Sequence, residues 1–413
     1  MNIRTITYFG DPGFPVSMER ITAAGEAVAE VKQALQDSGY TVQSTRLAAP
    51  PFARVLGAQA DKVVEYAQAL EDACFVHGID YATLGPARIT DPPAFFHVIP
   101  DAIGATQNVF ASVIIADAAN GVSVPAAKLA AEVIRRCSAL TPDGGPASAG
   151  LGNLRFGALA NVPSGVPFLP AAYHDDAEPM LAIGAEAADL AVRACQEATS
   201  LADARARLVY AIEAEAQKIT EAYKHSGGRR GINFGGIDFS YAPYPDPARS
   251  LGAALERLSG ARVGEHGTLA AAAFLTEAVE RAQFKRAGFS GLFLPVFEDA
   301  VLAERAAQGL LTLSDLLLYS SVCGAGLDTI PLPGDVSVEA LTAILLDVAV
   351  LALRLNKPLT ARLMPIPDKQ AGEPVAFNFE FFAPSRVLAP RASGLGGLLA
   401  EAGNFDLGQR LRS

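Results

Sequence analysis

Hydrophobic and polar positions along the chain follow a repeated two-part rhythm. A short apolar or alternating run is followed by a longer stretch in which apolar residues return every three or four positions. Residues 3–9 alternate like a strand and turn at Gly10, Asp11, Pro12 and Gly13; residues 16–37 follow as a helix closed by Gly39. Strands are expected at 41–47, broken by Pro50 and Pro51, and at 81–84, stopped by Gly85 and Pro86, with a helix at 55–75 between them. After a loop at 141–149 come strands at 154–161 and 181–183 and two helical stretches ending near Lys224. The second half places short apolar runs at 236–240, 292–296, 329–332 and 360–365, separated by helical sequence. The helices at 268–281 and 338–355 are very apolar, as expected where a helix packs on a buried sheet. This order predicts one large α/β module over 1–413, barrel-like, with an N-terminal subdomain at about 1–145 as the alternative division.

Composition narrows the class. Half of the 413 residues are hydrophobic and 19% are charged, ample material for a dry core and the wrong balance for disorder. The formal charge of −11 opposes a general nucleic-acid binder, which needs a basic footprint to displace counterions, and opposes docking on an anionic membrane surface. The stretch 341–355 contains Asp347 and is too short to span a bilayer, so it reads as a buried helix. With no secretory signal at the start, a cytoplasmic protein is expected. Cys74, Cys137, Cys195 and Cys323 stand far apart with no C-x-x-C pair, which suits reduced thiols better than a disulfide frame or a zinc site.

Several stretches carry a family resemblance. They are Met1-Asn2-Ile3-Arg4-Thr5-Ile6-Thr7, Asn161-Val162-Pro163, Pro170-Ala171-Ala172-Tyr173-His174, Phe234-Gly235-Gly236-Ile237-Asp238, Gly326-Leu327-Asp328 and Pro333-Gly334-Asp335. In order and spacing, over almost the whole chain, they resemble the bacterial and archaeal family known as domain of unknown function 711, or uncharacterised protein family 0210. The resemblance implies a fold similar to the ten-stranded β/α barrel of pyruvate formate-lyase, other glycyl-radical enzymes and ribonucleotide reductases. It also implies a homodimer and, more weakly, an ACT-domain protein as partner. It supplies no activity. Glycyl-radical enzymes carry Arg-Val-x-Gly and then an aromatic residue near the C-terminus. Here the end reads Arg391-Ala392-Ser393-Gly394-Leu395-Gly396-Gly397, and the mid-chain Arg262-Val263-Gly264 is followed by Glu265-His266, so no glycyl radical is expected. Function has to be sought in a site.

Candidate sites each have a plain structural alternative. Cys323, in a glycine-rich turn, is a nucleophile if a base deprotonates it, or a small buried thiol. Arg229 and Arg230, in the densest glycine cluster, could grip a carboxylate or phosphate, yet the cluster is neither a dinucleotide fingerprint nor a P-loop, and Gly227 would also serve as a helix C-cap. His266 precedes a helix whose N-cap is expected at Thr268, a place that favours the neutral ring, or it is an ordinary loop histidine. His174 and Asn161 fall in the family-like stretches and are candidate ligand contacts. Carboxylates recur where strands meet loops: Asp238, Glu298 beside Asp299, Asp328 and Asp335. If barrel strand ends converge, these could hold a divalent ion or do acid–base work; otherwise they are caps and turn residues. The expected catalytic set is Asp238, Cys323 and Asp328 facing one cavity with His266 at its rim; Asn161, His174, Arg229, Arg230, Glu298 and Asp335 are the expected ligand contacts.

Two functions remain open on these grounds. One is a non-radical barrel enzyme, a lyase, hydrolase or transferase, acting on a small polar or anionic metabolite. The other is a metabolite-binding or regulatory homodimer without catalysis. A pocket joining histidine, cysteine and two aspartates favours the first; one lined by arginines, amides and apolar residues favours the second.

Overall fold

The computed structural model describes residues 1–141, 149–175, 178–392 and 394–408, with the side chain of residue 229 left out. The alternating start of the chain becomes β1 (Asn2–Phe9), and β2 (Thr45–Ala48), β3 (Tyr81–Ala87), β4 (Val109–Asp117) and β6 (Phe156–Ala160) run parallel beside it. A short β5 (Gly121–Ser123) turns back along the end of β4 and pairs with β13 (Asn404–Phe405). On the far side of β1 lie β7 (Met180–Glu186) and β8 (Asn233–Asp238), parallel to each other and antiparallel to β1. On the far side of β6 lie β10 (Leu359–Ile366) and β9 (Gly326–Pro333), again antiparallel to the central strands. The main path runs β8-β7-β1-β2-β3-β4-β6-β10-β9, and with β5 and β13 makes an 11-stranded, mostly parallel sheet. A separate two-stranded ladder joins β11 (Pro374–Val375) to β12 (Ser385–Arg386).

Helices cover one face of this sheet. Met18–Asp37 starts at Ser17, whose hydroxyl accepts from the Arg20 amide, and buries Ile21, Val28, Val31 and Leu35. Val338–Leu355 starts at Ser337 and stops where Asn356 adopts a left-handed conformation; its ten buried residues pack on β4, β6 and β10. Both faces of most strands are buried, which is why they read as apolar runs instead of strict alternation. A second, smaller cluster containing Leu159, Val166, Phe168, Ala171, Tyr173 and Phe293 sits apart from the helix-side core.

Several boundaries differ from the sequence reading. Pro86 does not stop β3, which runs on to Ala87. β4 and the helix Val124–Ser138, absent from that reading, fill the stretch before the 141–149 loop, of which residues 142–148 lie outside the described residues. The expected strand at 292–296 is irregular: residues 285–297 make one parallel bridge to β8 (Ile237 with Arg286) and one to β9 (Pro295 with Asp328). The reason is local. Ser290 has a φ of 39° and Gly288 one of 60°, and Gly291 packs so closely on Gly324 that a Cβ on it would lie 2.6 Å from the Gly324 Cα. Regular strand pairing therefore reaches β8 and β9 as two edges, and the expected barrel closure is not formed by it.

Candidate functional site

A cavity of about 380 Å³ is lined by residues from β1, β2, β3, β4, β6, β9 and β10. Most of its charged groups come from inside strands. Arg4 on β1, Arg46 on β2 and Arg362 on β10 face it, with Arg155 just before β6, and so do the carboxylates of Asp328 on β9 and Glu298 after the irregular segment. Aromatic rings supply much of the remaining wall.

Arg362 is the hub. Its Nε donates to Asp328 Oδ1 at 2.6 Å and its other arm to Glu298 Oε1 at 2.8 Å, so one buried guanidinium holds two carboxylates. Burial raises the Glu298 pKa above the usual carboxylate range, and the negative Asp328 adds to that, while Arg362 and Arg4 oppose it. Arg4 lies 3.5 Å from Glu186 and 3.9 Å from Glu298, and also donates to the Pro243 carbonyl. Glu186 is shared with Arg249 at 3.2 Å. Alternating charges thus run from Arg249 through Glu186, Arg4, Glu298 and Arg362 to Asp328. Arg46 stands outside this chain. It donates to Ser44 Oγ at 3.1 Å and lies over the Tyr81 ring, and among the described residues it has no carboxylate partner within ion-pair distance. Burial, with Arg4 next, lowers its guanidinium to about 10, so it stays charged at neutral pH. Arg155 donates to the main-chain carbonyls of Ile103 and Thr106, each at 2.8 Å.

The structure brings together two of the expected site residues, Glu298 and Asp328, through Arg362. Others go elsewhere. Asp238 is buried and binds the irregular segment: it accepts from the Phe289 and Ser290 amides at 2.7 and 2.9 Å and from the Ser240 hydroxyl. Burial pushes its carboxyl up to about 7 against the pull of those bonds. Cys323 packs in the helix-side core, and its carbonyl, like that of Ser320, accepts from the Lys357 ammonium. His266 is exposed before Thr268–Arg281, where Gly267 occupies the cap position and Thr268 is the first helical residue. None of these three lines the cavity.

Nor, among the described side chains, do the remaining expected ligand contacts. Asn161 takes a left-handed turn and donates to Asn356 at 3.4 Å. His174 is buried and pairs through its backbone with the Ala49 carbonyl. Arg230 is exposed and ion-paired to Glu26 and Glu30 on a surface helix, whereas the Arg229 side chain lies outside the described residues. Asp335 is exposed and accepts from Gln370 at 3.3 Å. Asp299, beside Glu298, is a buried N-cap that accepts from Val301 and Leu302 at 3.0 Å each and from Ser250. No three His, Cys, Asp or Glu side chains gather as a metal site among the described residues. No helix among them is long and apolar enough to cross a membrane.

Comparison with known proteins places the chain in a family. The family model described as "Uncharacterised ACR (DUF711)" matches residues 1–380. A UPF0210 protein of Pyrobaculum islandicum is 33% identical over 358 residues, covering 81% of this chain and 76% of its own. UPF0210 proteins of Methanopyrus kandleri and Clostridium botulinum are 31% and 30% identical, over 86% and 87% of this chain and 81% and 82% of theirs. The chain with the cavity built around Arg362 therefore belongs to the DUF711 (UPF0210) family.

Proposed function

We propose that the chain is a non-radical enzyme acting on a small anionic metabolite held in the Arg362 cavity. Arg46 carries this reading: a charged guanidinium faces the cavity with no carboxylate within ion-pair distance among the described residues, and an anionic ligand supplies a partner. Glu298 and Asp328 give the site two carboxylates in unequal environments. Burial raises the pKa of the Glu298 carboxylate, which suits it to take up and return a proton, while Asp328 accepts from Arg362 and holds that guanidinium in place. Such a pair suits proton transfer in a lyase, hydrolase or transferase.

The competing reading, a metabolite-binding protein without catalysis, is favoured by one observation: Arg362 already engages both carboxylates. Thermal-shift titration with acetate, malonate and phosphate tests what the two readings share. An anion present at about 100 times its Kd stabilises the native state by about 2.7 kcal/mol. The expected result is a rise in Tm for at least one anion that Arg46→Gln abolishes; equal shifts in the variant sink the cavity as the site. Mass analysis of the bound anion after incubation with the parent and with Glu298→Gln then separates the readings, because only the enzyme reading expects conversion and its loss in the variant.

We further infer that residues 285–297 complete the wall between β8 and β9 as an irregular tenth strand of a barrel. The bridges of Ile237 with Arg286 and Pro295 with Asp328 support this, as do hydrogen bonds from Phe293 to the Ser240 carbonyl and from Gly324 to the Leu292 carbonyl. A homodimer is proposed as well, supported by the exposed Phe75 and Val76 at one helix end; light scattering that reports a monomer overturns it.

A further inference from the structure

We infer that the anion taken by this cavity is a monocarboxylate carried on a flat apolar body, an aryl carboxylate, and not a small polar ion. The inference rests on the cavity being the binding site, as proposed above, and adds the chemical class of its ligand.

Charge sets the anionic end. Arg4 and Arg362 are already offset by Glu186, Glu298 and Asp328, and Arg155 directs donors to main-chain carbonyls. Arg46 has no carboxylate within ion-pair distance among the described residues, so its fork is open to a carboxylate in the space. A guanidinium also binds a carboxylate through two parallel hydrogen bonds, so it fixes the orientation of whatever the carboxylate carries.

The wall sets the rest of the ligand. Beside Arg46, Tyr81 and Phe110 meet edge to face at 5.7 Å, with the Arg46 guanidinium 5.9 Å from the Tyr81 ring centre. Phe168 and Phe293, 4.7 Å apart, also line the cavity. Rings that served only as core would be packed on every side; here they border about 380 Å³ of open space. Acetate or phosphate would leave most of that apolar surface wetted. A phenyl ring covering about 100 Å² of it corresponds to roughly 50-fold tighter binding. Offset or edge-on contact with Phe110 and Phe293 favours a planar ring over a branched chain of equal volume.

The test is calorimetric titration of the full chain with three probes: acetate, phenylacetate and cyclohexylacetate. The expected result is phenylacetate binding roughly 50-fold more tightly than acetate and more tightly than cyclohexylacetate. Arg46→Gln should abolish binding, and Arg46→Lys should restore part of it. Phe293→Leu, which keeps an apolar side chain there, should narrow the phenylacetate preference without removing acetate binding. If acetate and phenylacetate bind equally and both depend on Arg46, the aryl inference is overturned while the cavity remains an anion site. A cyclohexylacetate affinity equal to that of phenylacetate overturns the planar requirement. If no probe shows Arg46-dependent binding, the inference falls together with the reading beneath it.

Discussion

Replacing Arg362 with methionine removes the one group that neutralises two buried carboxylates at once. Asp328 and Glu298 lie 2.6 and 2.8 Å from it, and both are mostly buried. Removing one partner of a buried pair costs about 3–5 kcal/mol, and here a single substitution strands two charges. The stranded carboxylates escape by taking up protons. Their folded-state pKa values then lie above the unfolded ones, so stability is retained below about pH 4 and lost as pH rises through the raised values. The deficit of Arg362→Met relative to the parent should therefore be about 3–5 kcal/mol near pH 8 and fall well below that near pH 5. Urea denaturation at both pH values measures it. A triple variant that also carries Glu298→Gln and Asp328→Asn should recover most of the loss at pH 8, since no charge remains to be stranded. A deficit that is the same at both pH values, or a triple variant no more stable than the single one, would refute the hub role of Arg362.

Other predictions follow from the wall around the cavity. Asp238 has its pKa raised to about 7, so the stability it contributes is greatest below about pH 4 and declines up to neutrality. Denaturation curves should show the parent's advantage over Asp238→Asn shrinking by about 2–3 kcal/mol between pH 5 and 7; a difference independent of pH contradicts this. Gly288→Ala places a methyl against the Asp238 carboxylate at a φ of 60°, and should lower stability by about 1–3 kcal/mol in the same assay, while no measurable change would show that the segment yields. All four cysteines are buried, with Cys74 and Cys137 pushed up to about 12 and Cys195 to about 11 by burial. A thiol reagent at pH 8 should therefore titrate none of them quickly until the protein is unfolded; rapid labelling at Cys323 would revive a reactive role for it.

Much of the scaffold was legible because its signals are local. The helices Thr268–Arg281 and Val338–Leu355 coincide with their expected bounds, as periodic apolar sequence with a definite stop should. β4 was missed although Val-Phe-Ala-Ser-Val-Ile-Ile-Ala is a plain buried-strand run, so the signal was present and unread. The site was legible only in part. Glu298 and Asp328 could be named from their places at strand ends, but Arg4, Arg46, Arg155 and Arg362 were passed over. Their signal is a single arginine set within or just before an otherwise apolar strand, as in Leu-Thr-Ala-Arg-Leu-Met-Pro-Ile of β10. Such a charge is too costly to bury without partners, so it marks a partner or a cavity. Cys323 and Asp238 misled for the opposite reason: glycines around them make room for other protein segments, and sequence cannot distinguish a close approach of backbone from that of a ligand.

The strand directions explain why the cavity lies among strand interiors and not at a rim of loops. In a uniformly parallel barrel every carboxyl end points to the same mouth, and residues at or just beyond strand ends, such as Asp238 and Asp335, would converge there. Here β1, β2, β3, β4 and β6 run one way while β7, β8, β9 and β10 run the other, so carboxyl ends are divided between two rims. What the two sets share is the middle of the sheet. Glycines then decide what occupies it. A Cβ on Gly157 would lie 2.7 Å from Pro170, and one on Gly184 would lie 2.8 Å from Phe168, so these two positions admit the segment between β6 and β7 close against the sheet. That accounts structurally for the family-like residues Pro170 to His174: they belong to a strap crossing the sheet, with Tyr173 tied back to the Val162 carbonyl at 3.0 Å. Strap and irregular segment meet where Phe168 contacts Phe293, and the space they leave is bounded by Arg46, Arg362 and the two carboxylates. Widening either glycine should therefore displace the strap and alter the cavity before it unfolds the sheet. Anion binding should accordingly be more sensitive than Tm to Gly157→Ala.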